Sequence, residues 1–186
     1  MATYSLKTVQ KIPTDLETAW SFFSDAGNLQ AITPKNLGFT ILSDTRDATM
    51  YPGQIIEYIV RPVLGIPIYW MTEITHVQDR LFFVDEQRVG PYRLWHHQHQ
   101  FRVIAGGVEM TDRVHYRNPL GILGTLANRF FVEGQLRTIF EFRFRKIEEL
   151  FGIWDGGVNT IVFNNCDGRS KRNRLIRDSG ISRQTK

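Results

Sequence analysis

Residues 94–117 restrict the fold of this chain most, because two runs of alternating side chains flank Gly106-Gly107. On the first run Trp95, His97, His99, Phe101 and Val103 share one parity. On the second, Val108, Met110, Asp112, Val114 and Tyr116 share another. Strand side chains alternate between faces, so these sets form the inner face of a β-hairpin. His96, Gln98, Gln100, Arg102, Glu109 and Arg113 fall on the outer face. Two histidines, an aspartate and a tyrosine thus stand among apolar neighbours. Burying such groups is unfavourable unless they are paired, which points to a lined cavity more than to a plain core. Glycine accepts positive φ, so Gly106-Gly107 reads as a two-residue turn. That turn pairs Ala105 with Val108, Phe101 with Asp112, His99 with Val114 and His97 with Tyr116. One strand earlier, closure of the Val89–Arg93 loop with Gln87 near Trp95 puts Asp85 opposite His97.

The rest of the chain supplies one sheet and one long helix. Thr3–Ile12 reads as a strand. Thr14 and Glu17 have the spacing of a capping box, followed by Leu16, Ala19, Trp20 and Phe23 at helical spacing. A second short helix runs from Ser24-Asp25 to about Ile32, before Pro34. Strands are expected at Phe39–Ser43, Gln54–Arg61, Ile68–Gln78, Leu81–Val89, Leu94–Ala105 and Val108–Arg117, separated by turn signals such as Pro52-Gly53 and Asp79-Arg80. Short links imply an antiparallel meander. From Thr125 to about Leu150 the period becomes helical, with Val132, Leu136, Ile139, Phe140, Phe144, Ile147 and Phe151 on one stripe. Such a helix is roughly 39 Å long and is the element able to cover the sheet. The fold class is α+β.

Charge and composition exclude several function classes. Residues 155–186 hold seven Lys/Arg and three Asp, which accounts for the whole net charge of +4. The body, residues 1–154, is neutral, so charge gives no support to specific nucleic-acid binding by it. The segment 155–186 is rich in Asn, Gly, Ser and Arg and reads as a mobile basic tail. No apolar run reaches the length of a membrane span, and no signal-peptide pattern opens the chain. The single cysteine, Cys166, allows no internal disulfide and no cysteine-based zinc site. These features make the cytoplasm the expected compartment.

The order strand, two short helices, six strands, long helix resembles the helix-grip fold of the START-like, or SRPBCC, superfamily, which includes the polyketide cyclase/dehydrase-like proteins. The resemblance spans roughly residues 3–151. It rests on Leu29-Gln-Ala-Ile-Thr-Pro34, on Gly90-Pro-Tyr-Arg-Leu-Trp-His-His-Gln-His-Gln-Phe101, on Asp112-Arg-Val-His-Tyr116 and on the apolar terminal helix. The Gly-Pro-Tyr…Trp-x-His-x-His-x-Phe string is similar to an uncharacterised bacterial branch. The resemblance implies a cavity between sheet and helix that takes an apolar or amphipathic small molecule. Fold alone does not choose between carrier, receptor and cyclase.

The expected ligand-binding residues are Trp70, Asp85, Gln87, Trp95, His97, His99, Phe101, Asp112 and Tyr116. Tyr58, Phe83 and Tyr92 are further candidates for an apolar wall. Pro91-Tyr92, Gly65-Ile66-Pro67 and Asn118-Pro119-Leu120-Gly121 are candidate gates. If a reaction occurs, His97 or His99 would act as general base with Asp85 or Asp112 orienting it, and Tyr116 would donate to an oxyanion. His97 and His99 also have the spacing of strand-borne metal ligands, with Asp112, Asp85 or Glu57 as a possible third. A metal needs three or four converging ligands held by outer partners. The preferred reading is therefore a buried, hydrogen-bonded histidine pair with no metal. No phosphate loop, dinucleotide motif or activated nucleophile is present, so no cofactor is expected.

Overall fold

The computed structural model describes residues 2–44, 50–62, 64–119, 131–166 and 171–174. Among the described residues nine strands form one antiparallel sheet: β1 (Tyr4–Ile12), β2 (Thr40–Ile41), β3 (Gln54–Val60), β4 (Ile68–Gln78), β5 (Phe82–Val89), β6 (Leu94–Ile104), β7 (Gly107–Arg117), β8 (Thr160–Asn165) and β9 (Lys171–Arg174). Their order across the sheet is β2-β3-β4-β5-β6-β7-β1-β8-β9. Helix α1 (Leu16–Phe23) and two 3₁₀ turns, Ala26–Gln30 and Lys35–Leu37, follow β1. Helix α2 (Glu133–Phe151) lies across the concave face, so the arrangement is a helix grip.

The turn chemistry explains the curvature. In β4 the pairing with β5 shifts between Met71 and Thr72 and again between Ile74 and His76. A bulge adds a residue to one strand and bends it. Trp70, Thr72 and Ile74 face inward before the second shift, and Val77 packs on the core after it. The inner parity therefore changes from even to odd within one strand.

Three local expectations change. Asp15, not Thr14, caps α1, accepting from Thr18 N at 2.8 Å. Thr14 belongs to the tight turn that ends β1, where its N–H bonds Ile12 O at 2.9 Å, and the cap falls one residue later. The second short helix is a 3₁₀ turn capped by Asp25. The β6–β7 register is moved by two residues: the turn is Ala105-Gly106, and Ile104 pairs with Gly107. Gly106 supplies the positive φ, at 86°. Gly107 has another role, because a Cβ there would lie 2.1 Å from Ile12 O and 2.9 Å from the Trp154 ring. The second glycine lets β1 and Trp154 approach the hairpin tip. A shift of two keeps every side chain on its face.

The expected mobile tail begins differently. Thr160–Asn165 pairs along Tyr4–Val9 as β8, with Ile161 and Phe163 buried, and Lys171–Arg174 pairs with it. An Asn-rich segment becomes a strand here because β1 offers it an open edge and two core sockets. Residues 167–170 and 175–186, and the first part of the expected long helix at 125–130, lie outside the described residues.

Two apolar clusters fill the concave side. One joins α1 to the β4–β7 sheet through Trp20, Phe23, Phe83 and Phe101. The other packs α2 on β1, β7 and β8 through Leu136, Phe140, Phe144, Leu6, Val114 and Ile161. Gln10 Nε2 donates to Phe144 O at 3.1 Å and ties β1 to the helix.

Candidate functional site

Between the two clusters lies a cavity of about 420 Å³, within the range of small-molecule sites. Its walls are mostly aromatic and aliphatic. Tyr58, Trp70, Tyr92 and Trp95 come from the sheet side and its loops, and Leu136 and Ile139 from α2. Trp70 stacks on Tyr58 at 5.8 Å and meets Trp95 edge-on at 5.4 Å. The polar tips on this wall satisfy each other: Trp70 Nε1 donates to Thr72 Oγ1 at 3.1 Å, and Tyr58 OH lies 2.8 Å from the same oxygen.

The polar part of the wall is a ring in which carboxylates and imidazoles alternate. Asp85 is directly opposite His97 across β5 and β6, and His99 is directly opposite Asp112 across β6 and β7. The bonds cross these rows. His97 Nε2 lies 3.1 Å from Asp112 Oδ1, and His99 Nε2 lies 3.0 Å from Asp85 Oδ2. His97 Nδ1 is 3.3 Å from Asp85 Oδ2. His99 Nδ1 is 2.8 Å from Asp112 Oδ1, at ion-pair distance but without hydrogen-bond alignment. The imidazole centroids are 3.8 Å apart, and His99 stacks on Phe83 at 4.1 Å. Thr8 Oγ1 donates to Asp112 Oδ2 at 3.1 Å.

Electrostatics follow from this alternation. Burial works against ionisation of Asp85 and Asp112, but the two imidazoles outweigh it and hold both carboxyls below the usual carboxylate range. Burial also disfavours charge on His97. The charge of Asp85 and the bonds to both carboxylates overcome it and raise the His97 pKa to about 9. His97 is thus an imidazolium at neutral pH, with both nitrogens turned to carboxylates.

Sequence reasoning missed Arg143. It lies on α2 between Phe140 and Ile147, is buried, and lines the cavity. Its Nη1 is 4.0 Å from Asp112 Oδ1, its guanidinium sits over the Phe140 ring at 4.9 Å, and its buried Nε has no hydrogen-bond partner among the described residues. The signal was available: Leu136, Phe140, Arg143 and Ile147 fall on one helical stripe, and a cation within an apolar stripe is a buried cation.

The nine expected residues divide. Trp70, Asp85, Trp95, His97 and His99 line the cavity. Asp112 lies behind the imidazoles, away from the opening. Tyr116 is fully buried and stacks on Tyr4 at 5.6 Å. Phe101 packs on Trp20 and Phe23 at the far end of the core. Gln87 turns to its own loop, where Nε2 donates to Tyr92 O at 2.6 Å and Oε1 accepts from Tyr92 N at 3.2 Å. This clamp holds Tyr92 against the cavity. Of the candidate gates, Pro91, Tyr92, Asn118 and Pro119 line the cavity, Gly65-Ile66-Pro67 is exposed, and Leu120-Gly121 lies outside the described residues. Among the described residues no helix is long and apolar enough to cross a membrane.

No family model matches the chain, and no curated protein matches it in sequence. Solved structures do match in shape. Protein CV1439 from Chromobacterium violaceum superposes with a TM-score of 0.60 at 9% identity, covering 81% of this chain and 98% of that one. Protein Ms6760 from Mycobacterium smegmatis gives 0.57 at 15% identity, covering 78% and 89%. Ara h 8.0201, a Bet v 1-like helix-grip protein, gives 0.57 at 14% identity, covering 80% and 97%. At these identities the likeness establishes the helix-grip fold.

Proposed function

We propose that this protein binds an apolar or amphipathic small molecule in the cavity between the sheet and α2. The observation that carries this reading is the composition of the wall: aromatic and aliphatic on most sides, with one polar end made by Asp85, His97, His99 and Arg143. Apolar walls supply affinity, and a few fixed polar groups supply orientation. An oxygen-bearing ligand would place that oxygen at the imidazole–guanidinium end, where leaving a buried donor unpaired is penalised by about 1–3 kcal/mol. Membership of the SRPBCC superfamily and a cytoplasmic setting belong to the same proposal, the latter supported by the lone cysteine.

The test is native mass spectrometry of the purified protein before and after solvent extraction, followed by titration with a hydrophobic fluorophore. A retained small molecule, or saturable fluorophore binding abolished by Ile139→Trp, is expected. No retained mass and no saturable binding would overturn the proposal.

One observation favours a second reading, a cyclase-, dehydratase- or isomerase-type enzyme. His97 carries a proton at neutral pH and borders the cavity, which suits a proton donor held by Asp85 more than the general base anticipated from sequence. His97→Gln separates the readings: a binder weakens modestly, whereas an enzyme loses turnover by orders of magnitude.

A further inference from the structure

We infer that Asp85, His97 and His99 form a binding site for one divalent first-row transition ion, open toward the cavity. Each of Asp85, His97 and His99 offers one ligand atom, and the three atoms all lie within 4.8 Å of one another. Metal bonds to imidazole nitrogen and carboxylate oxygen are about 2.0–2.2 Å, so two ligand atoms on one ion stand roughly 3.0–3.4 Å apart. The His97–Asp85 and His99–Asp85 separations, 3.3 Å and 3.0 Å, already have that spacing. The three side chains project from rigid, paired strands rather than loops. All three border the cavity, so the remaining coordination positions face the space where a small molecule would sit.

The second observation concerns what lies behind the ligands. Ligating histidines nearly always turn their other ring nitrogen to a carboxylate or carbonyl, which fixes the tautomer and the ring plane. Asp112 does this for His97, whose Nε2 lies 3.1 Å from its Oδ1, while Thr8 holds its other oxygen. The same Oδ1 lies 2.8 Å from His99 Nδ1 without hydrogen-bond alignment. A proton on His97 Nε2 bound to Asp112 leaves Nδ1 free to ligate. From sequence the third ligand and the outer carboxylate were the missing parts; the fold brings in both. Two imidazoles and one carboxylate with open positions suit iron(II), cobalt(II) or zinc rather than calcium or magnesium, which prefer all-oxygen sets. The ion takes the place of a proton shared within the ring, so binding releases protons.

The site shares the cavity of the proposed ligand reading but does not depend on its ligand, and the test uses the ion alone. Full-length protein is stripped with chelator and titrated with cobalt(II), read by visible absorption, and with zinc by calorimetry. One equivalent is expected to bind, with at least a hundredfold loss of affinity in His99→Gln and Asp85→Asn and a 10–100-fold loss in Asp112→Asn. His96→Gln and His115→Gln, on the outer face, are expected to leave binding unchanged. Absence of stoichiometric binding to the wild type, or undiminished binding to folded Asp85→Asn, overturns the site. If the variants do not fold by circular dichroism, X-ray absorption of the zinc-loaded wild type decides. Two imidazoles on the ion support the site and fewer overturn it. None of these outcomes bears on fluorophore binding, so the two proposals fail separately.

Discussion

Asp112 accepts from Thr8, faces both imidazoles and lies 4.0 Å from Arg143, yet it does not reach the cavity. Removing its charge leaves the His97 imidazolium with Asp85 alone and takes from Arg143 the carboxylate beside it. Breaking a buried ion pair by deleting one partner costs about 3–5 kcal/mol, whereas losing one hydrogen bond to a charged group costs about 1.5–3 kcal/mol. Asp112→Asn is therefore expected to lower stability by about 3–5 kcal/mol and Thr8→Val by about 1.5–3 kcal/mol, both measured by urea denaturation. Equal effects would show that the carboxylate charge is not what holds the ring together. The facing of His97, His99 and Asp112 was legible in the sequence, because alternation survives any even shift of register. The placement of Asp85 opposite His97 was legible too, but the partners across β6 and β7 were not, since they depend on the two-residue placement of the turn. Arg143 was legible as a cation in an apolar stripe but was not read so.

Strands flanked by strong turn residues were readable along their length, and β4 has the expected bounds, Ile68–Gln78. Elements whose reason lies in a distant partner were not. The glycine pair at 106–107 looked like a turn, but only Gly106 serves the turn; Gly107 serves Ile12 O, some ninety residues earlier in the chain. Gly107→Ala is expected to cost about 3 kcal/mol, the upper end of overpacking penalties, because the clash is with backbone that is itself paired in the sheet. A melting curve unchanged from wild type would mean that β1 and β7 are not held this closely. The strand β8 went unread for the same reason. Ile161, Val162 and Phe163 are its only apolar run, too short for a recognisable period among the Asn, Gly and Arg around it, and its order comes from the edge of β1. Phe163 is buried against the α2 cluster, with Arg137 over its ring at 5.0 Å. Large-to-small changes of a buried Phe cost about 3–5 kcal/mol, so Phe163→Ala is expected to destabilise by that amount in equilibrium unfolding. A mobile tail would give a change near zero.

For the molecule as a whole, the charge ring makes folding depend on pH in a direction set by His97. Four groups face it: Asp85 from β5, His99 from β6, Asp112 from β7, and Arg143 from α2 beyond Asp112. Its native pKa of about 9 lies above the ordinary histidine value. Below about pH 6.5 native and unfolded chains both hold the proton, and the contribution is complete. Between there and pH 9 the native state keeps a proton that the unfolded chain has lost, so stability falls with rising pH. Above 9 the contribution is gone. The carboxylates act at the other end: with lowered native pKa values, Asp85 and Asp112 stabilise the fold above about pH 4 and lose that effect as pH falls. His115, whose pKa burial lowers, also loses stability only on the acid side. The alkaline slope therefore belongs to His97. In chelator, the urea midpoint is expected to fall steadily between pH 6.5 and 9, by up to about 3 kcal/mol in unfolding free energy. His97→Gln should remove that slope while keeping the acid limb. A flat profile across this window would mean that His97 is neutral in the native protein and that the two carboxylates do not share its proton.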